Sequence, residues 1–269
     1  KFSRRDFIKA GAAVGATSFA AGFTPFAIGG ATKKVVVVGG GVGGATAAKY
    51  IKMADSSIDV TIIEANKDYH TCFFSNEVLS GERELDSLKV GYSGLKKHGI
   101  NIVHAWVSNI DPKGQVVKTS DGQSFPYDRC VVSPGVDFKW DTVEGFDATI
   151  AEAKPHAWLA GEQTITLKKQ LHSMKQGGTF IIAPPPNPFR CPPGPGERIT
   201  QVANYFKVHN PTAKIIAFDP KKGFSKGPWF QNAWERFHGF DSANPTADGM
   251  ISYHALDGVV AFDAGSNTV

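Results

Sequence analysis

A glycine-rich segment near the start of the chain has the residue types that hold a diphosphate group. Glycine lets the backbone approach a phosphate closely, and the N–H groups at the start of a following helix attract its negative charge. Glu64 follows at a spacing that would let its carboxylate accept hydrogen bonds from a ribose hydroxyl. These features predict a dinucleotide-binding loop consisting of Gly39, Gly40, Gly41, Val42, Gly43 and Gly44.

The elements that must position this loop are indicated by the apolar pattern on either side of it. Residues 34–39 are a continuous apolar run typical of a buried parallel strand, 41–54 predict a helix, and 60–63 predict a second strand that ends at Glu64. Strand, glycine turn, helix, strand and acid therefore occur in the order of a dinucleotide-binding unit. A glycine turn without a ligand is the alternative.

The first 31 residues have the features of a twin-arginine export signal. Arg4 and Arg5 precede an apolar stretch rich in Ala and Gly. We therefore expect a periplasmic protein without an integral membrane segment in its mature chain; an uncleaved anchor is the alternative. Because NAD(P) is not supplied outside the cytoplasm, a flavin loaded before export is the expected cofactor. The leader carries most of the net charge of +4, so nucleic acid is not an expected partner.

The three cysteines are the second set of residues that could do chemistry. Cys191 precedes a predicted helix that begins near Glu197, where backbone N–H groups can stabilise a thiolate. Cys191 is thus a candidate redox cysteine, with a structural disulfide or an inert thiol as the alternative. Glu197 is either a proton acceptor or a favourable partner of the helix dipole. Cys130 is predicted to be a buried core thiol. With Cys72 the count is odd, so at least one cysteine is free, modified or paired outside this chain.

A second strand–helix–strand unit is predicted in the latter half of the chain. Helices are expected over 164–175 and 197–208, and strands over 178–183 and 214–219. The turn after the first of these strands, residues 184–196, is rich in proline. Since proline has no N–H group, this turn cannot hold a pyrophosphate as a glycine loop does.

The region between the two units predicts further strands. Residues 102–107 and 129–135 are expected to be strands, and 115–127 a hairpin. This order resembles the FAD domain of flavoprotein disulfide reductases. The resemblance places Val107 where the adenine contacts backbone, and Gly135 where the chain closes on the cofactor.

The predicted fold class is α/β, with a Rossmann-like FAD-binding domain followed by a second βαβ domain of the disulfide-reductase type. We expect the signal peptide at 1–31, the FAD-binding domain at 32–155, and the second domain with its cysteine loop at 156–269. The alternation at 259–262 is typical of a strand still in progress, so a fragment of a longer protein is expected.

Three segments, 69–81, 189–195 and 224–240, resemble the flavoprotein subunit of flavocytochrome c sulfide dehydrogenase. The resemblance implies FAD attached to Cys72 through a thioether, and a redox disulfide between Cys191 and a cysteine outside this sequence. It also implies that electrons pass from sulfide through FAD to a c-type cytochrome subunit in a heterodimer. The sequence has no Cys-x-x-Cys-His site, so haem c would lie on the partner.

Two rival functions remain open. A sulfide:quinone oxidoreductase would share the fold, flavin and cysteine chemistry, and a non-catalytic flavin electron carrier would lack the second redox cysteine. The histidines show no metal-ligand spacing, so no metal is predicted. His70 either tunes the flavin or lies at the surface. Residues 221–226 are expected to be a solvated loop or a cytochrome-docking patch, and Trp229 and Trp234 either pack in the second domain or line its cleft.

Overall fold

Strands and helices alternate through most of the chain in the computed structural model, which describes residues 32–269. The strands are β1 (Lys34–Val38), β2 (Asp59–Ile63), β3 (Tyr69–His70), β4 (Lys89–Val90), β5 (Asn101–Val103), β6 (Val107–Asp111), β7 (Val116–Thr119), β8 (Ser124–Pro126), β9 (Arg129–Val132), β10 (Thr179–Ile182), β11 (Lys214–Asp219) and β12 (Ile251–Ala255). The α-helices are α1 (Val42–Ala54), α2 (Ser75–Ser80), α3 (Ser93–Lys96), α4 (Ala148–Ala153), α5 (Glu162–His172), α6 (Gly194–His209) and α7 (Gly227–His238).

A parallel sheet of four strands, in the order β5-β2-β1-β9, carries the glycine loop. Each of the strands β2, β5 and β9 runs parallel to its neighbour. Val37, Val60 and Ile62 are fully buried in this sheet, as the continuous apolar runs predict for parallel strands covered on both faces. The predicted strand, helix and strand around the glycine loop are thus confirmed to within about two residues.

The predicted single strand over 102–107 is wrong. β5 ends at Val103 in the parallel sheet, and β6 begins at Val107 in a separate antiparallel sheet of order β6-β7-β8. Trp106 between them is exposed, and its carbonyl accepts a hydrogen bond from the Ser120 N–H. Because both sheets favour apolar residues, hydrophobicity alone could not show where the chain leaves one sheet for the other.

A second parallel sheet, β10-β11-β12, follows the predicted strand–helix–strand unit. The predicted β10 and β11 are confirmed, whereas β12 and α7 were not predicted. The strand expected over 259–262 is wrong, because these residues make only an isolated bridge between Ala261 and Glu144, and Val260 is largely exposed. Within residues 32–269, no helix has the length and apolar character needed to span a bilayer.

The short helix α2 belongs to the core of the second sheet although it precedes that sheet by a hundred residues or so. Leu79 is 1% exposed and packs in one cluster with Ile199, Phe206 and Trp234. Its carbonyl lies 2.9 Å from Nε2 of His172 on α5, and α2 packs against both α5 and α6. The segment after Cys72 is therefore anchored on the second half of the chain.

Replacing Leu79 with Ala is expected to lower the free energy of unfolding by about 3 kcal/mol, because it removes a buried side chain and leaves a cavity. Urea denaturation followed by tryptophan fluorescence measures this loss. The matched control is Leu159→Ala, since Leu159 is 61% exposed. Equal effects of the two substitutions would contradict the placement of α2 in this core.

Candidate functional site

The glycine loop between β1 and α1 is packed so tightly that two of its positions exclude a side chain. Gly39 has φ of +95°, and a side-chain carbon there would collide with the Ser133 carbonyl. A carbon at Gly44 would collide with the carbonyl of Gly39. These contacts bring the loop against the end of β9 and bring α1 against the strand before it.

The start of α1 is open on the side away from the sheet. Gly41 is the N-cap residue, and no side chain from residues 32–269 caps the helix. In the same part of the chain, a carbon at Gly41 would meet only the Tyr69 ring, at 3.6 Å. The free N–H groups of this first turn can therefore bind an anionic group.

Glu64 lies beside the loop, where the sequence predicted it. Its Oε2 accepts a hydrogen bond of 2.7 Å from the Gly40 N–H, and its Oε1 accepts one of 2.8 Å from the Asn66 N–H. Oε1 also accepts a 3.0 Å hydrogen bond from the side-chain amide of Asn66, whereas Oε2 keeps a further lone pair. Glu64 thus braces the loop and still has acceptor capacity for a ribose hydroxyl.

Tyr92 was not predicted, and it supplies a polar group aimed at the loop. A carbon at Gly40 would stand 2.8 Å from its ring and 3.0 Å from its hydroxyl oxygen. The side chain is 6% exposed, and within the described residues the hydroxyl has no hydrogen-bond partner. Burial, with a smaller contribution from Glu64, raises the pKa of Tyr92 to about 12. The hydroxyl therefore stays protonated and can donate to a bound acceptor.

A cleft of about 550 Å³ runs along α1 next to this loop. Its walls come from the loop, from α1, and from the segment containing β3, β4 and α3. The residues that line it are Gly40, Gly41, Val42, Ala45, Thr46, Lys49, Tyr69, Thr71, Val90, Gly91, Tyr92, Gly94, Leu95 and His98. An uncapped helix start, an unpartnered hydroxyl and a carboxylate together fit the adenosine diphosphate part of a dinucleotide.

Val107 and Gly135 both lie near the edge of this unit. Val107 begins β6 and is half-buried. Gly135 has φ of +86° and open space where a side chain would be. It follows Ser133, whose carbonyl contacts Gly39, so the chain here returns to the glycine loop.

Cys72 is exposed in the turn that leads into α2. The turn is held by a 3.2 Å hydrogen bond from the Phe73 N–H to the Thr71 hydroxyl, and Phe74 takes a left-handed conformation with φ of 65°. Burial raises the pKa of Tyr69, Cys72 adds to the increase, and Arg190 opposes it. Arg190, next to Cys191 in the chain, thus acts on the same tyrosine as Cys72.

Cys191 is exposed in the proline-rich loop before α6. Its φ is +56°, and its carbonyl accepts a 2.9 Å hydrogen bond from the Gly194 N–H. α6 starts at Gly194, three residues earlier than predicted, so Cys191 is closer to the helix start than expected and Glu197 lies in its first turn. All three cysteines lie in the described part of the chain as free thiols, and Cys130 is half-buried with its pKa raised by burial.

At the end of β11 in the second sheet, the carboxylate of Asp219 is already hydrogen-bonded to other residues of the protein. Asp219 is fully buried at the end of β11. It accepts hydrogen bonds from the Tyr253 hydroxyl at 2.7 Å and the Lys221 N–H at 2.9 Å, and its Oδ1 lies 2.6 Å from the Lys221 ammonium. Burial is the main reason that the pKa of Tyr253 is raised, and the bond to Asp219 adds to it. This is the position at which Glu64 stands in the first unit.

The expectation that residues 221–226 form a solvated loop is wrong for Lys221. Its side chain is 11% exposed, and its ammonium donates a 2.8 Å hydrogen bond to the Pro185 carbonyl as well as pairing with Asp219. Lys221 thus ties the proline-rich loop to the sheet. Trp234 is fully buried, whereas Trp229 is 76% exposed.

Arg198 is a second functional candidate that the sequence did not reveal. It is 3% exposed, and its guanidinium donates to Asn76 Oδ1 at 2.9 Å, to the Ala157 carbonyl at 2.9 Å and to the His156 carbonyl. Burial lowers the pKa of Arg198 to about 9, although Glu197 opposes the decrease. Arg198 joins α2, the segment at 156–157 and the start of α6. An arginine in a helix gives no signal of this role in a single sequence.

His156 belongs to an aromatic cluster with Phe138, Trp140 and Phe146. Burial, together with the nearby Arg198 guanidinium, lowers the pKa of His156 to about 4. Across residues 32–269, no three His, Cys, Asp or Glu side chains are grouped so as to hold a metal ion.

Comparison with known families agrees with this geometry. Residues 33–176, more than half of the chain, match the profile of the pyridine nucleotide-disulphide oxidoreductases. Residues 164–269 match that of the central part of sulfide dehydrogenase [flavocytochrome c] flavoprotein chains. The chain belongs to this oxidoreductase family and resembles its sulfide dehydrogenase flavoproteins. The family is one of FAD-binding oxidoreductases with a Rossmann-like fold.

Two individual relatives are named as sulfide oxidoreductases. The flavoprotein chain of the sulfide dehydrogenase from Chlorobaculum thiosulfatiphilum is 57% identical over 47 residues, which cover 18% of this chain and 98% of that sequence. The mitochondrial sulfide:quinone oxidoreductase of Dictyostelium discoideum is 26% identical over 187 residues, covering 68% of this chain and 40% of the relative.

A solved structure with the same fold is the sulfide:quinone oxidoreductase from Aquifex aeolicus. It has a TM-score of 0.67 at 18% identity, covering 86% of this chain and 53% of that one. The oxidoreductase described here thus spans about half of that structure's length, and less of the Dictyostelium relative. Residues 1–21 match the twin-arginine signal profile, which directs export to the periplasm; they lie outside the described residues.

Replacing Tyr92 with Phe is expected to weaken FAD binding by roughly tenfold to a hundredfold, because a hydrogen bond to a charged group contributes about 1.5–3 kcal/mol. The affinity is measured by flavin fluorescence titration of apoprotein carrying Cys72→Ser, in which attachment at that residue cannot occur. Tyr50→Phe is the control, since Tyr50 is 64% exposed on α1. Unchanged affinity in the Tyr92 variant would show that the hydroxyl is not a cofactor ligand.

Proposed function

We propose that this chain is the flavoprotein component of a periplasmic sulfide dehydrogenase, which oxidises sulfide and passes the electrons to a c-type cytochrome subunit that carries haem c. The observation that carries this proposal is the difference between the corresponding loops of the two units. The first unit has an open glycine loop, whereas the second has a proline-rich loop with an exposed cysteine. That second loop lies in the region that matches the central part of sulfide dehydrogenase flavoproteins.

The first unit, residues 32–155, is proposed to hold FAD. The N–H groups at the start of α1 would bind the pyrophosphate, with Glu64 on the ribose and the Tyr92 hydroxyl donating to the same part of the cofactor. Cys72 is proposed to form the thioether to the flavin. Its exposure and its fixed turn support this role, since attachment needs an accessible sulfur.

The second unit, residues 156–269, is proposed to supply the redox sulfur. Hydrosulfide would attack a disulfide between Cys191 and a second cysteine outside this sequence; the S–S bond breaks, one sulfur keeps the added sulfur as a persulfide, and the other leaves as a thiolate. Glu197 is proposed to accept the proton released by hydrosulfide, and its position in the first turn of α6, shortly after Cys191, supports this role. FAD supplies an acceptor that takes electrons in pairs and releases them singly.

In the second unit, the residues at the place where a nucleotide would bind support an electron acceptor other than a pyridine nucleotide. Asp219 stands where an acid would bind a ribose, but Tyr253 and Lys221 already bind its two oxygens. The loop before α6 contains prolines, which cannot donate N–H groups to a pyrophosphate. Electrons are therefore proposed to leave through a protein partner.

A sulfide:quinone oxidoreductase is the second candidate, favoured by the likeness to the Dictyostelium and Aquifex proteins. The two are separated by measuring sulfide-dependent reduction of horse cytochrome c and of decylubiquinone by the full-length mature protein with its copurified partners. Faster cytochrome reduction supports the proposal. Quinone reduction alone would contradict it, and reduction of neither would favour a flavin electron carrier.

Substitution of Cys72 by Ser is expected to abolish covalent flavin, because serine cannot form the thioether. The mature protein is purified from the periplasm and denatured in acid, and flavin absorbance and peptide mass are then measured on the precipitated chain. Cys130→Ser is the matched control and should retain its flavin. Flavin released completely from the wild type would overturn attachment while leaving non-covalent FAD binding to be judged by the Tyr92 variant.

A further inference from the structure

The exposed sulfur of Cys191 has an aromatic ring close to one side. A carbon placed on Gly194 would stand 3.2 Å from Cys191 Sγ and 3.3 Å from Cζ3 of Trp158. The sulfur and the ring edge thus approach the same point above the first residue of α6. Because Gly194 has no side chain, neither group is pushed away from that point.

The ring of Trp158 is held in place by a buried cation. The Arg198 guanidinium carbon lies 3.5 Å from the ring centroid, which is a close cation–π stack. Three hydrogen bonds to Asn76, His156 and Ala157 fix the plane of that guanidinium. A planar guanidinium whose three nitrogens each donate a hydrogen bond cannot rotate without losing these bonds, so it offers the indole a fixed surface to stack on.

The backbone on both sides of this contact is fixed as well. The Trp158 N–H donates a 3.0 Å hydrogen bond to Nδ1 of His156. On the other side, the turn at Cys191 is closed by the bond from the Gly194 N–H. Sulfur and indole therefore keep their relative position, and the indole acts as a wall beside the sulfur.

We propose that Trp158 determines specificity at Cys191 by limiting the size of the molecule that can approach its sulfur. Hydrosulfide, a single heavy atom, passes the wall, whereas a thiol carried on a peptide is obstructed. This inference rests on the proposed function of Cys191 as part of the disulfide that sulfide attacks. Selection of this kind works by a clash with the wrong partner, and it needs no added contact with the right one.

The test compares two maleimides of different size on the reduced, full-length mature holoprotein. N-ethylmaleimide and fluorescein-5-maleimide share one reactive group, so the ratio of their rates at Cys191 cancels the intrinsic reactivity of the thiol. Peptide mass spectrometry measures both rates at that residue. Trp158→Ala is expected to raise the rate of the large reagent relative to the small one about tenfold, the lower end of the discrimination that a hydrophobic pocket shows for one methylene group.

Two further variants keep the test decisive. Trp158→Phe retains a smaller ring and is expected to give an intermediate ratio. Trp229→Ala removes a tryptophan that is 76% exposed in the same half of the chain, and should leave the ratio unchanged. An unchanged ratio in both Trp158 variants, with circular dichroism showing that they are folded, overturns the proposal.

Arg198→Lys tests how the wall is held. Lysine keeps the positive charge but lacks the planar group that stacks on the indole, so the ratio should rise towards that of Trp158→Ala. A ratio equal to that of the wild type would contradict the role of the stack.

Sulfide consumption, measured in parallel, separates this proposal from the proposed function. A shifted maleimide ratio in a protein that does not consume sulfide would overturn the function and leave the wall standing. Normal sulfide consumption with an unchanged ratio would overturn the wall and leave the function standing. With both intact, glutathione should reduce the Cys191 disulfide faster in Trp158→Ala than in the wild type.

Discussion

A buried guanidinium joins the two halves of this protein. Arg198 is 3% exposed, yet its hydrogen bonds all go to neutral oxygen atoms and its flat face is covered by Trp158. A cation taken out of water is costly unless it is hydrogen-bonded, and each of the three nitrogens of Arg198 donates one such bond. The geometry around it is therefore tightly constrained, because any shift of α2, of the 156–157 segment or of α6 would leave a donor without an acceptor. The two proposed reactive cysteines lie next to the elements that this residue ties together.

The sequence could predict those parts of the fold that depend on local patterns. Glycine spacing and continuous apolar runs located β1, α1 and β2, because a dinucleotide loop needs these residue types in that order. The second strand–helix–strand unit was found from its apolar runs alone, since its turn carries prolines in place of the glycines. In contrast, β12 and α7 were not predicted, since β12 contains Ser, Tyr and His and is no continuous apolar run, and α7 begins within a glycine- and lysine-rich stretch.

The candidate site was predicted less completely than the fold. The sequence singled out Glu64, Cys72 and Cys191, because carboxylates and thiols are groups that commonly bind ligands or react. The sequence did not single out Tyr92, Trp158 or Arg198, because residues of these types are common in proteins without a site. Their importance comes from tertiary contacts. The Tyr92 hydroxyl has no partner within the described residues, and the Trp158 ring stacks on the buried charge of Arg198. Lys221 was mistaken for a solvated residue because its partners, Asp219 and Pro185, come together only when the second sheet forms.

The placement of α2 has a consequence for the order in which the molecule matures. Asn76 and Arg198 are 122 positions apart, and the core around Leu79 includes residues as distant as Trp234. Contacts between such distant positions form late, because the intervening chain must first be synthesised and its loop closed. A ribosome must therefore have released most of this polypeptide before the turn at Cys72 reaches its final shape. Any enzyme-free chemistry at Cys72 that requires this shape is thus post-translational, and it must be complete in the cytoplasm if the folded protein is to cross the membrane already loaded.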